Sequence, residues 1–406
     1  MTVSVVGGGL AGCEAAWALA ESGVSVTLHE MRPHISSPAH ETDLLAEVVC
    51  SNSFKSIETS NPHGLLKAEL RMLGSLLLQV ADATSVPAGA ALAVDRMLFA
   101  AEATERLTAH SRVELRREEV TELKSPSIVA TGPLTSDRLA ETIRVRLGAE
   151  SLAFFDSIAP IVSAESLDMS VLYPLSRYGK GSGDDYLNAP LTEDEYRTLV
   201  VQLLEADQYA SHDFETTPFF EACLPVEELA RRGADTLRFG PMKPVGLANP
   251  NTGEEPFAVV QLRREDRAGQ MWNLVGFQTK MRQAEQRRVL RTIPGLRDAE
   301  FLRFGSMHRN SYLNSPVTLS AHLSAPDDDK LLFAGQRRGR LVIPMILFLV
   351  ALGGTLLAIP CSRFFCGQGR EEVKMAQRKA GSGLLPGPPG CLELAPLFEE
   401  ALYEDM

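Results

Sequence analysis

Two cysteines and one glycine-rich turn are the residues whose types and spacing could do chemistry. Cys50 lies in EVVCSNSFKS, residues 47–56, where an apolar Val48-Val49 pair gives way to Ser51, Asn52 and Ser53. A thiol at such a junction packs as a small hydrophobe or, as a thiolate, serves as nucleophile or base. Cys223 stands in FFEACLPVEEL, behind two aromatics and just before Pro225. Lys55 beside Cys50 favours a thiolate, whereas Glu221 and Glu227, if close in space, would disfavour one at Cys223. Cys13 falls on an apolar helical stretch and is expected in the core. The turn is Gly7-Gly8-Gly9-Leu10-Ala11-Gly12, followed 18 positions later by Glu30. Gly7 permits a tight turn, Gly9 lets a pyrophosphate approach the backbone, and Gly12 lets helix and strand pack closely. The free N–H groups at the N-terminus of the helix that follows face the anion, and Glu30 is placed to accept hydrogen bonds from a ribose.

The elements that must position these groups are legible around them. Residues 3–6 form an apolar strand, residues 11–21 show helical spacing, and VSVTLHE, residues 24–30, is a second strand ending in the acid. This is one βαβ unit. SIVATGP, residues 127–133, and LLFAGQ, residues 331–336, are two more apolar runs whose small ends, with Gly132 and Gly335, let backbone approach a cofactor. Strand ends so far apart in the chain predict an α/β fold with a discontinuous, Rossmann-like FAD-binding domain of the two-dinucleotide flavoprotein type, NAD(P)H being a visiting reductant. The spacing predicts one amphipathic helix over 64–83, a loop or strand edge over 86–96, and a helix capped by Asp95 and running through Leu107. From about Phe154 the chain changes to short strands and turns around a helix in TEDEYRTLVVQLLEA, as for an inserted α+β domain. The expected division is 1–153, first part of the FAD-binding domain; 154–300, inserted substrate and RNA domain; 301–360, return segment; and 361–406, a divergent tail.

Composition narrows the class. The chain has 406 residues, 45% hydrophobic and 23% charged, ordinary for a soluble globular protein. Six cysteines are too sparse for a disulfide scaffold, and residues 1–9 start a strand instead of a signal peptide, so a cytoplasmic location is expected. A net charge of -12 argues against a non-specific nucleic-acid coat, leaving a local basic face over Lys280–Arg291, with five basic residues against one acid, either as a solvated helix face or as an RNA groove. No histidine–cysteine spacing suggests a metal site. Residues 341–360 carry no charge behind Arg337, Arg338 and Arg340, which meets the length rule for a membrane helix. Pro344, Gly353 and Gly354 weaken a continuous span, and no membrane attachment is expected.

Motifs in order along residues 1 to about 336 carry a resemblance. GGGLAGCEAAW, EMRP with PAHETDLLAEVVCSNS, GLLKAE, VPAGAALAVDR, ATGPLT, FFEACLP, FGPMKPVGL, AVVQLRRED, NLVGFQT, IPGL and MHRNSYLNSP resemble the folate- and FAD-dependent tRNA uracil-5-methyltransferase family (TrmFO). The resemblance implies that NAD(P)H reduces FAD, that the flavin takes a one-carbon unit from methylenetetrahydrofolate, and that the unit passes to C5 of a T-loop uridine of tRNA. It implies catalytic roles for Cys50 and Cys223. One would be the nucleophile at C6 and the other a base or carrier, with Cys223 favoured as nucleophile. Gly7, Gly8, Gly9, Leu10, Ala11, Gly12, Glu30, Gly132 and Gly335 carry over as cofactor contacts. Arg96, Lys243, Arg263, His308, Arg309 and Asn310 fall in matched motifs as folate, flavin or RNA contacts. Where the family continues with a segment of the type GVEGYVES, this chain has RRGRLVIP, lacking both acid and tyrosine. A shifted reading frame, a replacement buried helix and a membrane anchor are three readings of that tail, in that order. A ribosomal RNA acceptor and a non-catalytic relative stand as alternatives to the tRNA enzyme.

Overall fold

The computed structural model describes residues 2–148, 152–209, 224–313 and 315–335. The alternation of β-branched residues in TVSVV and SVTLHE gives two strands, Thr2–Val6 and Ser25–Glu30, that pair in parallel. Between them runs helix Leu10–Glu21, whose alanines pack flat on the sheet. Ser127–Val129 pairs with the other side of the first strand, and Asp328–Phe333 pairs with Ser127–Val129, again in parallel. Val113–Arg117 closes the far edge beyond Ser25–Glu30, and Ser324–Ala325 adds an antiparallel edge. The first strand therefore has neighbours reached by crossovers on both sides, and the crevice beyond its carboxyl end is a topological switch point, where open α/β sheets bind ligands.

Val3, Val5, Cys13, Ala15, Ala16, Leu19, Val26 and Leu28 form the centre of the first core, with Cys13 fully buried. The expected single helix over 64–83 is two, Pro62–Met72 and Leu76–Ala83. Gly74, at φ +78, breaks the run, and Ser75 restarts it by accepting a hydrogen bond from the Leu78 N–H. Leucine spacing alone cannot register such a break, because both halves keep the same apolar face toward the core. Within residues 86–96, Val86 ends one strand and Ala91–Val94 forms another in a three-stranded sheet with Ser53–Ser56. Asp95 caps helix Arg96–Ala109 through the Leu98 N–H at 3.0 Å.

A second, antiparallel six-stranded sheet is ordered Tyr173–Pro174, Tyr186–Leu191, Ala258–Arg264, Met271–Leu274, Ile161–Ser163 and Phe301–Arg303. Helix Glu193–Glu205, opened by a capping box between Thr192 and Glu195, packs on it. The chain passes between the two sheets along one antiparallel ribbon, Leu152–Ser157 with Met307–Tyr312, in which Asp156 stands opposite His308. No helix among the described residues is long and apolar enough to cross a membrane. The apolar run 341–360 lies outside the described residues.

Candidate functional site

At the end of the first strand Gly7 takes φ +104, and a Cβ there would fall 2.8 Å from the Ala130 carbonyl oxygen. Gly12 is tighter still, its Cβ position lying 1.8 Å from the Gly7 carbonyl oxygen. Gly9 is the reverse case: nothing lies within 4 Å of where its side chain would be, and it precedes a helix with no side-chain cap. The first turn of that helix therefore presents N–H groups to open space, the arrangement that receives an anion. Gly132 and Gly335 take φ +63 and +98 at the neighbouring strand ends. Gly7, Gly8, Gly9, Leu10, Ala11, Glu30, Gly132 and Gly335 all line one cleft; Gly12 lies behind it and holds the turn.

Glu30 is 5% exposed, and its carboxylate is already engaged. Oε2 accepts from the Gly8 N–H at 2.9 Å, and Oε1 accepts from the Arg32 N–H at 3.0 Å and Arg32 Nε at 2.9 Å. The acid expected to hold a ribose thus also fixes the glycine turn, and a carboxylate has acceptor capacity left for a hydroxyl. Arg32, 1% exposed, also donates to Glu47 Oε2 at 2.8 Å and to the Thr42 carbonyl at 3.1 Å. Burial pushes the Glu30 carboxyl up, but the Arg32 hydrogen bonds and charge, with the Gly8 N–H, outweigh it and hold the group below its ordinary 4.5. A depressed carboxyl contributes stability above its unfolded value that disappears as pH falls through the folded one. Replacing Arg32 by Met, which strands two buried carboxylates, should lower unfolding free energy by about 3–5 kcal/mol at neutral pH. Urea melts should also show the variant losing less stability than the wild type below pH 4.5. Equal midpoints at pH 7 would dismiss the network.

Cys50 lines the same cleft. Its loop is clamped from two directions. The Arg96 guanidinium donates to the carbonyls of Val48, Val49 and Cys50 at 2.6, 3.2 and 3.2 Å, and Nε pairs with Glu265 at 2.5 Å. Arg263 donates to Asn52 Oδ1 at 2.9 Å and Ser51 Oγ at 3.0 Å, while Asn52 Nδ2 reaches the carbonyls of Val94 and Arg264. Arg96 and Arg263, expected as ligand contacts, hold the loop that presents the thiol, the first through its carbonyls and the second through Ser51 and Asn52. Lys243 is exposed on the second domain.

The Cys50 thiol donates to Asp156 Oδ2 at 3.1 Å. Burial first, and then the Asp156 charge and hydrogen bond, push the thiol well above its ordinary value, against the opposing charges of Arg96 and Arg303. Cys50 is a neutral thiol here, and its cations are Arg96 and Arg303, where the sequence pointed to Lys55. His308 Nε2 lies 3.9 Å from Asp156 Oδ2, and Cys50, Asp156 and His308 bring one ligand-type atom each within 4.8 Å of one another. Asp156, His308 and Asn310 line the cleft beside Cys50. His308 Nδ1 and Asn310 Oδ1 are buried with no hydrogen-bond partner among the described residues. Such orphaned groups, with the open Gly9 position, fit a polar ligand lying across the cleft from the glycine turn to the thiol.

Cys223 and Glu221 lie outside the described residues, as does the side chain of Arg309. Glu227 is buried against Thr279. The basic run around helix Gln283–Leu290 is a paired face: Arg288 binds Glu285 at 2.6 Å, Arg282 lies 3.5 Å from Asp207, Arg291 donates to the Ala299 carbonyl, and Arg287 covers Phe304. Asp156 was missed in the sequence. Its one signal is an acid closing the apolar run LAFFDS, and the residue that gives it meaning, His308, is far along the chain.

A family model described as Glucose inhibited division protein A matches residues 2–341. A Geobacter sulfurreducens protein named Methylenetetrahydrofolate–tRNA-(uracil-5-)-methyltransferase TrmFO is 56% identical over 83% of this chain and 78% of its own length. A Thermus thermophilus protein of the same name is 54% identical over 83% and 76%. A third, from Pelobacter propionicus, is 54% identical over 94% of this chain and 83% of its own. That match reaches past residue 336, where the likeness was expected to end. Among solved structures, Aquifex aeolicus GidA shares the fold with a TM-score of 0.65 at 15% identity, covering 90% of this chain. The chain spans 64% of that GidA's length.

Proposed function

The chain belongs to the methylenetetrahydrofolate–tRNA-(uracil-5-)-methyltransferase (TrmFO) family, and from that membership we propose that it forms 5-methyluridine in the tRNA T-loop, with methylenetetrahydrofolate as one-carbon donor and NAD(P)H as reductant. The observation that carries this reading is that the Cys50 thiol and the glycine turn open on one cleft. The lining of that cleft suits FAD: Gly7 to Ala11 would hold its pyrophosphate and Glu30 a ribose, with Gly132 and Gly335 beside them. When bound, FAD supplies hydride transfer and one-carbon carriage.

The protein's own residues meet the demands of the uracil ring. C5 is a weak nucleophile until a thiolate adds to C6, when the S–C6 bond forms and the ring's electron pair moves toward C5 and O4. Cys223 is assigned that addition, as the resemblance implies. Cys50 holds or moves the proton at Sγ, and Arg96 and Arg263 keep its loop in register with the cleft. The described parts of 1–153 and 301–360 are assigned to the FAD-binding domain and those of 154–300 to the inserted substrate domain, and the enzyme is assigned to the cytoplasm.

The purified full-length protein should carry a flavin absorption spectrum that bleaches on anaerobic addition of NADH or NADPH. It should then transfer the carbon of labelled methylenetetrahydrofolate to a T-loop uridine, located by nuclease mapping and mass spectrometry. A colourless protein that added FAD cannot restore, or label found on ribosomal RNA but not tRNA, would overturn the assignment.

A further inference from the structure

The carboxylates around the cleft differ in one respect. Glu30 and Glu47 share Arg32, and Glu265 holds Arg96. Asp156, 3% exposed, has no arginine or lysine partner among the described residues. Its Oδ1 accepts from the Ser157 N–H at 2.9 Å, and its Oδ2 accepts from the Cys50 thiol. The ribbon register sets His308 directly opposite, its Nε2 3.9 Å from the same oxygen. A carboxylate kept buried for structure is ordinarily given a cation. This one is given a thiol proton and a neighbouring imidazole, and all three groups face the ligand cleft.

We propose that Asp156 is a positioning residue that takes the proton of Cys50 and later passes it to water, so that the sulfur alternates between thiol and thiolate while a substrate lies in the cleft. This rests on the reading above, in which Cys50 acts on a uracil ring. In the forward step the S–H bond breaks, an O–H bond forms at Asp156 Oδ2, and the negative charge passes from carboxylate to sulfur. The thiolate then removes the C5 proton: the C–H bond breaks, an S–H bond forms, the electron pair stays in the ring, and Asp156 passes its proton to water, which restores the carboxylate. Nothing is oxidised or reduced in any of these transfers. The other charges facing Cys50 are fixed. Arg96 from helix Arg96–Ala109 is paired with Glu265, and Arg303 from the second sheet is paired with Glu41 at 2.9 Å. Burial holds the His308 and His40 imidazoles below their ordinary range, and so neutral at pH 7. Asp156 is thus the group positioned to trade a proton with the thiol.

The test is Asp156→Asn, which keeps an Oδ1 acceptor for the Ser157 N–H and removes the charge. Two quantities are read on FAD-loaded protein: the pH dependence of iodoacetamide alkylation at the Cys50 peptide, without RNA, and methyl transfer to tRNA. Removing the anion should move the alkylation midpoint down by at least about one pH unit. Methyl transfer should nevertheless fall about 100-fold, the scale of a positioned proton acceptor. Asp156→Glu, which restores a carboxylate, should recover at least about a tenth of wild-type transfer and keep the midpoint high. A midpoint that does not move in Asp156→Asn overturns the proposal, as does transfer within about threefold of wild type. If wild type transfers no methyl group, the functional reading fails by itself, and the alkylation midpoint alone decides the link between Asp156 and Cys50. Should Asp156→Asn not fold, Asp156→Ser, smaller and equally uncharged, gives the same two readings.

Discussion

Cys50→Ala is expected to lose methyl transfer by at least about 1,000-fold while keeping bound, NADH-reducible flavin. The separation follows from where the contacts lie. The glycine turn at the dinucleotide end of the cleft is shaped by the close packing at Gly7 and Gly12 and by Glu30 and Arg32, and no hydrogen bond joins these residues to Cys50 Sγ, whose partner is Asp156. The Cys50 loop is held through its carbonyls by Arg96 and through Ser51 and Asn52 by Arg263, so removing the sulfur leaves those bonds in place. What the alanine does remove is a donor to a buried carboxylate, a loss worth about 1–3 kcal/mol. Stability should therefore drop modestly in a thermal melt, and the flavin spectrum should not change. Cys50→Ser is the sharper companion, since it returns a donor to Asp156 but its hydroxyl is far harder to ionise than a thiol. Restored melting temperature with transfer still absent would place the requirement on sulfur chemistry. Either variant retaining more than about a tenth of wild-type transfer would remove Cys50 from the reaction.

The parts of this site that sequence makes legible are those encoded by contiguous residues under a local steric rule. GGGLAG shows itself because a turn between strand and helix that receives a pyrophosphate tolerates no Cβ at particular positions, and ATG and AG at two later strand ends show the same demand. Both signals survive in the structure, at Gly7, Gly12, Gly132 and Gly335. The break at Gly74 was hidden because an apolar face continues across it. The loop-holding roles of Arg96 and Arg263 were hidden for another reason. A cation in a family motif marks a needed charge without saying whether backbone or ligand receives it, and here the carbonyls around Cys50 and the side chains of Ser51 and Asn52 do. Asp156 and His308 were harder still. They meet through the antiparallel register of a ribbon whose strands lie on either side of the whole inserted domain. No local periodicity carries that information, because the pairing is decided by how the insertion closes on itself.

Gly12→Ala and Gly9→Ala form the second expected result, because they separate a glycine needed by the fold from one needed by the ligand. At Gly12 the new methyl carbon would sit 1.8 Å from the Gly7 carbonyl oxygen, which belongs to backbone that cannot rotate away. Helix Leu10–Glu21 must then back off the first strand, disturbing the alanine layer of the core at a typical overpacking penalty of about 1–3 kcal/mol or more. Gly12→Ala should therefore melt several degrees lower and be purified without flavin. At Gly9 the backbone is at φ -77, which any residue adopts, and the methyl meets nothing within 4 Å. Gly9→Ala should fold with a stability loss of no more than about 1 kcal/mol, the preference for glycine over alanine at a helix N-cap. If the pyrophosphate crosses the helix N-terminus there, the methyl occupies its path, and FAD affinity measured by fluorescence titration should drop by about 100-fold, or about 2.7 kcal/mol. Wild-type affinity in Gly9→Ala would mean that the dinucleotide approaches the turn from elsewhere. A stability loss in Gly9→Ala as large as that in Gly12→Ala would mean that the open position at Gly9 is part of the fold and not a space kept for a ligand.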